Sequence, residues 1–187
     1  MKTALLLIDI QNDYFPGGAL ELEKTVEAAN NAAKLLAAAR KVQLPVVHIQ
    51  HINKRPGATF FVAGTKGVEI HNSVAPVASE KTIVKHFPNS FRDTELNKFL
   101  QENKIHDLII CGMMSHMCVH ATARAACDLG YECIVAHDAC ATKAVMFNNH
   151  KVSAIDTHNA FMAALNGLYA QMETTGQIVS AIEAKIF

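Results

Sequence analysis

Apolar runs of strand length recur along this chain with helix-period segments between them. Residues 3–10 (TALLLIDI), 44–51 (LPVVHIQH), 81–86 (KTIVKH), 106–112 (HDLIICG) and 132–138 (ECIVAHD) are apolar with few interruptions. Continuous rather than alternating apolarity is the pattern of strands covered on both faces, as in a parallel sheet. Between these runs, residues 23–42, 93–103, 118–130 and 152–168 place apolar side chains at helical spacing. Asp93 and Thr94 read as a helix start, and Gly130 as a helix stop. A short sixth strand near 169–173 and a last helix from Thr174 continue the alternation. The pattern predicts a single-domain α/β fold over residues 1–187. Its core would be a doubly wound, six-stranded, mostly parallel sheet with helices on both faces. Residues 53–79 carry no clear period, and a loop of that length inside a compact domain is usually functional.

Composition narrows the class. Of 187 residues, half are hydrophobic and 18% are charged, with Lys+Arg and Asp+Glu balanced at 17 each. That balance describes a globular protein with no polyanion partner, so no nucleic acid is expected. The first residues, MKTALLLIDIQNDYF, meet Asp9 too early for the apolar core of a signal peptide, and no run reaches the roughly 18 apolar residues of a membrane span. The expected compartment is the cytoplasm, without membrane association. The five cysteines, at 111, 118, 127, 133 and 140, never form a C-x-x-C pair. Neither a zinc ribbon, a thioredoxin motif nor a disulfide framework is indicated. Cys111, Cys127, Cys133 and Cys140 read as small core hydrophobes.

Open parallel sheets bind ligands beyond the carboxyl ends of their strands. Three polar residues stand at such ends: Asp9 after the first strand, Lys85 at the end of the third, and Cys118 after the fourth. Taken singly, each has a plain structural reading: a loop-bracing carboxylate, a solvated edge lysine, a packed thiol. Together they make a reactive set. An ammonium and a helix start favour a thiolate at Cys118, and Asp9 is placed to take the thiol proton and return it to a leaving amine. Free N–H groups at the same helix start would face an oxyanion.

The motifs LLLIDIQNDYF, IVKHFPNSF and GMMSHMCV, in this order, resemble those of the isochorismatase-like cysteine hydrolase family. Further stretches, RPGATFF, FRDTELNKFL, ATARAACDLGYECIVAHDACAT and HNAFMAAL, extend the resemblance over nearly the whole chain. It implies a Rossmann-like fold and a triad of Asp9 as base, Lys85 as charge partner and Cys118 as nucleophile. It also implies a cis peptide at Met113–Met114 that turns the Met114 N–H toward the Cys118 N–H as an oxyanion hole. The implied reaction is hydrolysis of an amide, ureide or related C–N bond in a small molecule through a thioester. Relatives include nicotinamidases, N-carbamoyl amidases and streptothricin hydrolases, commonly dimers or tetramers, so a homo-oligomer is expected.

Two other readings stay open: vinyl-ether hydrolysis by acid catalysis, as in true isochorismatases, and a ligand-binding or redox-sensing thiol protein without enzymatic activity. No cofactor is expected. Nicotinamidases of this family hold a metal through an Asp-x-His and a later His. Here HIQHIN lacks the Asp although His71 follows, and strand alternation sends His48 and His51 to opposite faces, so no metal is expected. There is no G-x-G-x-x-G after a strand and no P-loop. Phe15, Phe61 and His116 are the expected substrate-binding residues, with His120 facing away, and residues 146–154 are polar enough to form a lid.

Overall fold

The computed structural model describes residues 2–186. The elements run β1 (Lys2–Ile8), α1 (Thr25–Lys41), β2 (Val46–His51), β3 (Lys81–Lys85), α2 (Leu96–Glu102), β4 (Ile105–Met113), α3 (His120–Asp128), β5 (Glu132–Ala141), β6 (Val145–Phe147), β7 (His150–Val152), α4 (Ala154–Leu165), β8 (Gln171–Glu173) and α5 (Thr175–Glu183). Six strands form one parallel sheet in the order β3-β2-β1-β4-β5-β8, and β6 and β7 pair as an antiparallel hairpin. The α/β architecture is the one the apolar pattern predicts.

Alternation along β1 explains why its apolar run is unbroken. Leu5 and Leu7 enter a core with Ala28, Ala32, Leu35 and Leu36 of α1 and Ile178 and Ile182 of α5. Ala4, Leu6 and Ile8 enter the opposite core, with Leu96 and Leu100 of α2, Ala123 and Ala126 of α3, and Met162 and Leu165 of α4. Each fully buried Leu or Ile contributes roughly 1.5–3 kcal/mol, so two dry faces hold this strand in place. The alanines of α1 let that helix lie close against the sheet.

Several boundaries move for local reasons. The helix expected from residue 93 begins at Leu96, because Asp93 is left-handed with φ 54°. The Thr94 hydroxyl donates to the Ser90 carbonyl at 2.6 Å and accepts from the Leu96 N–H at 3.3 Å. The last helix starts as expected, capped by Thr174 and Gln177 in a reciprocal box. The helix expected from Cys118 starts earlier, as a π-helical turn over Ser115–Val119 that runs into α3. Residues 146–154 contain a hairpin whose turn residues, Asn148 and Asn149, are both left-handed, as a two-residue type I′ turn requires. Its Phe147 is 74% exposed.

Residues 53–79 fold back onto the loop after β1. The Asn12 N–H donates to the Glu69 carbonyl and the His71 N–H to the Ile10 carbonyl, while the Gln11 side chain donates to Val68 and the Asn12 side chain to Lys66. No helix among the described residues is long and apolar enough to cross a membrane.

β1 and β4 crowd together at Gly112, where φ is 128° and a Cβ would collide with the Ile8 carbonyl oxygen. Gly112→Ala is therefore expected to cost about 3 kcal/mol or more, since neither the backbone angle nor the space suits a methyl group. A lowered urea-unfolding midpoint would show it; an unchanged midpoint would contradict the packing described here.

Candidate active site

Strand order reverses between β1 and β4, so the two connections leaving their carboxyl ends part there, at the kind of position where open α/β sheets take ligands. Asp9 follows β1 on one side of it. Its φ of 51° takes the chain out of the strand while its N–H still donates to Ile49 at 3.0 Å. Cys118 follows β4 on the other side, inside the π-turn. Lys85 ends β3, two strands from Asp9, and its register partner across β2 is His51. The long lysine side chain spans that gap.

These ends converge on one dry cluster. Lys85 Nζ stands 2.8 Å from Asp9 Oδ2, with both side chains 0% exposed. The ammonium also donates to the Pro88 carbonyl at 2.9 Å. Cys118 is 4% exposed, and ligand atoms of Asp9, His51 and Cys118 lie within 4.8 Å of one another. Strict hydrogen-bond geometry leaves both Asp9 oxygens without a partner although the Lys85 contact is short. The attraction at this distance is Coulombic and does not need ideal angles.

Burial disfavours charge on all three groups, and the balance differs at each. At Asp9, burial raises the carboxyl pKa, but Lys85 and then His51 outweigh it and hold it below the ordinary carboxylate value. At Lys85, burial opposes the charge, yet Asp9 and Cys118 keep the ammonium pKa above its usual value. At Cys118, burial and then the Asp9 carboxylate push the thiol far up, and Lys85 pulls back only part of the shift. The resting site is thus a carboxylate–ammonium pair beside a neutral thiol. This corrects the expectation of a resting thiolate: the two neighbouring charges oppose each other at the sulfur, which leaves burial to decide.

The residues expected to bind substrate are positioned by their own contacts. Phe15 stacks on His71 with ring centroids 3.6 Å apart. Phe61 is fully buried against Tyr14 and Phe60, and its ring lies 5.8 Å from that of His51. His116 Nδ1 is 2.6 Å from the Thr142 hydroxyl, and its ring meets the Phe161 ring edge-on. The His120 ring also meets Phe161. His48, three residues before His51 on β2 and so on the opposite face of the strand, contacts Glu80 at 2.9 Å.

Sequence reasoning missed the supports of the cluster. His51 Nδ1 lies 3.8 Å from Asp9 Oδ2. Gln11, fully buried, fixes it from behind: its side chain accepts from the His51 N–H at 2.7 Å and donates to the His51 carbonyl at 3.0 Å. Asp13 accepts from the Phe61 N–H at 2.6 Å, and Gly67 packs so closely on Asp13 that no Cβ fits there. Tyr14 is buried, and its hydroxyl pKa is pushed well up by burial and then by Cys118, Asp9 and Asp13. The signal for Gln11, Asp13 and Tyr14 was the polar run directly after the first strand, beside Asp9.

The Met113–Met114 peptide is cis. The Met114 carbonyl accepts from the N–H groups of Met117 and Val119, so the π-turn skips the N–H of Cys118. A cavity of about 410 Å³ lies elsewhere, between α1, β5 and α4, lined by Glu27, Asn31, His137, Asp138 and His158. It includes none of Asp9, Lys85 and Cys118.

A doubly wound parallel sheet with a buried acid, ammonium and thiol at its switch point defines an α/β protein with a polar cluster, and comparison with known proteins gives the lineage. The chain belongs to the isochorismatase family: the Isochorismatase domain matches residues 3–177. It is 54% identical over 175 residues to the isochorismatase family protein YddQ of Bacillus subtilis, covering 94% of this chain and 97% of that one. A crystal structure from Oleispira antarctica that carries the name isochorismatase hydrolase superposes with a TM-score of 0.92 at 49% identity, covering 96% of each chain. The maleamate amidohydrolase of Pseudomonas putida is 29% identical over 151 residues, covering 73% of this chain and 71% of that one. The protein is therefore an isochorismatase-family hydrolase with amidohydrolase relatives.

The charge balance at the thiol has a testable sign. Asp9→Asn removes the negative charge that raises the Cys118 pKa and leaves Lys85, which lowers it. The pH profile of Cys118 alkylation by iodoacetamide is expected to move to lower pH in this variant, giving faster alkylation at neutral pH. A profile that stays put or moves up would contradict the described coupling.

Proposed function

We propose that the protein hydrolyses an amide, ureide or related C–N bond of a small molecule, with Cys118 as nucleophile, Asp9 as proton carrier and Lys85 as the group that keeps Asp9 charged. The observation that carries this reading is the buried 2.8 Å Asp9–Lys85 pair placed against a thiol at the sheet's switch point. Burying two charges is too costly to be retained lightly, and a neutral thiol beside a carboxylate is poised to lose its proton only when a substrate arrives.

The steps follow from these groups. As sulfur attacks the carbonyl carbon, the thiol proton passes to Asp9. The carbonyl oxygen takes up the negative charge and is received by the N–H groups of Met114 and Cys118; the π-turn that bypasses the Cys118 N–H supports the second donor. Collapse breaks the C–N bond while Asp9 returns its proton to the departing nitrogen, leaving a thioester. Water then gives a proton to Asp9 and its hydroxyl to the thioester, and the thiol is restored with release of the acid. Lys85 stays protonated throughout and stabilises Asp9 whenever it is ionised. No redox change occurs and no cofactor is required.

Phe15, Phe61 and His116 would line the substrate's approach. The five free cysteines suit a reducing cytoplasm, and a dimer or tetramer belongs to the same reading.

Screening small amides, ureides and a vinyl ether against the parent chain and Cys118→Ala tests the reading. Amide turnover is expected to fall by at least about a thousandfold in the variant. Retention of most hydrolysis by Cys118→Ala would instead favour acid-catalysed vinyl-ether cleavage.

A further inference from the structure

The groups that make this site reactive are also a ligand set. A carboxylate oxygen of Asp9, Nδ1 or Nε2 of His51 and Sγ of Cys118 lie within 4.8 Å of one another, the one such trio of His, Cys, Asp or Glu among the described residues. Both Asp9 oxygens are buried and, apart from the Lys85 ion pair, neither has a hydrogen-bond partner, so the carboxylate keeps acceptor capacity for a cation. The His51 backbone is clamped on both sides by Gln11, which fixes where its ring can stand. We infer that a zinc ion binds Asp9, His51 and Cys118, displaces the thiol proton to solvent and holds the nucleophile inactive. The inhibitory consequence rests on the hydrolase reading above; the binding itself does not.

The donor chemistry favours zinc. Thiolate, imidazole and carboxylate are the ligands Zn²⁺ takes in four-coordinate sites, and three of them leave a fourth position for water. Tetrahedral ligand atoms at 2.0–2.3 Å from an ion stand roughly 3.3–3.8 Å apart, so the trio has to close by about 1 Å. Side-chain rotation at Cys118 and His51 covers that distance. The thiol is the group such an ion can deprotonate, because a coordinated sulfur is bound as thiolate whatever its free pKa.

Lys85 sets the limit on affinity. Its ammonium stays 2.8 Å from Asp9 Oδ2 and bonded to the Pro88 carbonyl, so the ion would share the carboxylate with Lys85. With thiolate, carboxylate and ammonium present, a divalent ion leaves the site with one net positive charge where it had none. That repulsion makes the ion exchangeable rather than structural. The arrangement also differs from the metal position found in nicotinamidases: it uses the nucleophile itself, while His48 is engaged by Glu80 and His71 by Ser73.

Equilibrium dialysis with Zn²⁺ and absorption spectroscopy with Co²⁺ test the inference without any substrate. One Zn²⁺ per chain is expected, with a thiolate-to-cobalt charge-transfer band that vanishes in Cys118→Ala. His51→Ala and His51→Asn, each verified as folded by circular dichroism, are expected to weaken binding at least about tenfold. Zinc binding by Cys118→Ala as tight as by the parent, or unchanged affinity in both folded His51 variants, would overturn it. Either result would leave the hydrolase reading standing. An inert thiol in the metal-free chain would count against the hydrolase reading alone.

Discussion

The pairing of Asp9 with Lys85 is the constraint on which the rest of the site depends. Moving a carboxylate and an ammonium out of water costs several kcal/mol for each ion, and their mutual attraction at short range does most to offset it. They come from the ends of strands that are not neighbours, since β2 runs between β1 and β3. The contact therefore requires the parallel register of three strands, the left-handed turn that takes Asp9 out of β1, and a lysine long enough to cross the β2 end beside His51. Once formed, the pair bears on the chemistry of its neighbour: its charges act in opposite directions at Cys118, and burial keeps the thiol protonated.

That state suits the proposed mechanism. A permanently ionised sulfur would be prone to oxidation, whereas a neutral thiol beside a charged acceptor becomes nucleophilic only as it hands over its proton. The polar residues after β1 hold this arrangement in place. Gln11 fixes His51, Asp13 fixes Phe61, and both tie residues 53–79 to the edge of the cluster. The closeness of carboxylate, imidazole and sulfur underlies both the proposed proton transfer and the inferred zinc site.

Much of this was legible in the sequence, and the reasons differ by element. The run at 3–10 identified a strand buried on both faces because its alternate side chains feed two separate cores. Thr174 marked a helix start because its cap chemistry is local. The helix read from Asp93 was misplaced because Thr94 bonds back to Ser90 and holds the chain in a turn, a contact that composition does not encode. Asp9, Lys85 and Cys118 were visible as polar residues at strand ends. The role of His51 was hidden by its spacing from His48: alternation correctly separated the two, but only the register of β2 against β3 puts one of them beside Lys85. The protonation of Cys118 was misread for a related reason. Sequence shows a lysine and a helix start, both favouring thiolate, while burial and the nearby carboxylate appear only when the strands are assembled.

The central claim is that Cys118 attacks the substrate and carries its acyl group. Rapid-quench intact-mass analysis of the metal-free enzyme during turnover of an accepted amide tests it most directly, followed by peptide mapping. The account predicts a transient mass increase equal to the acyl fragment, located on Cys118. Steady turnover with no adduct at any quench time, or an adduct on another residue, would contradict it.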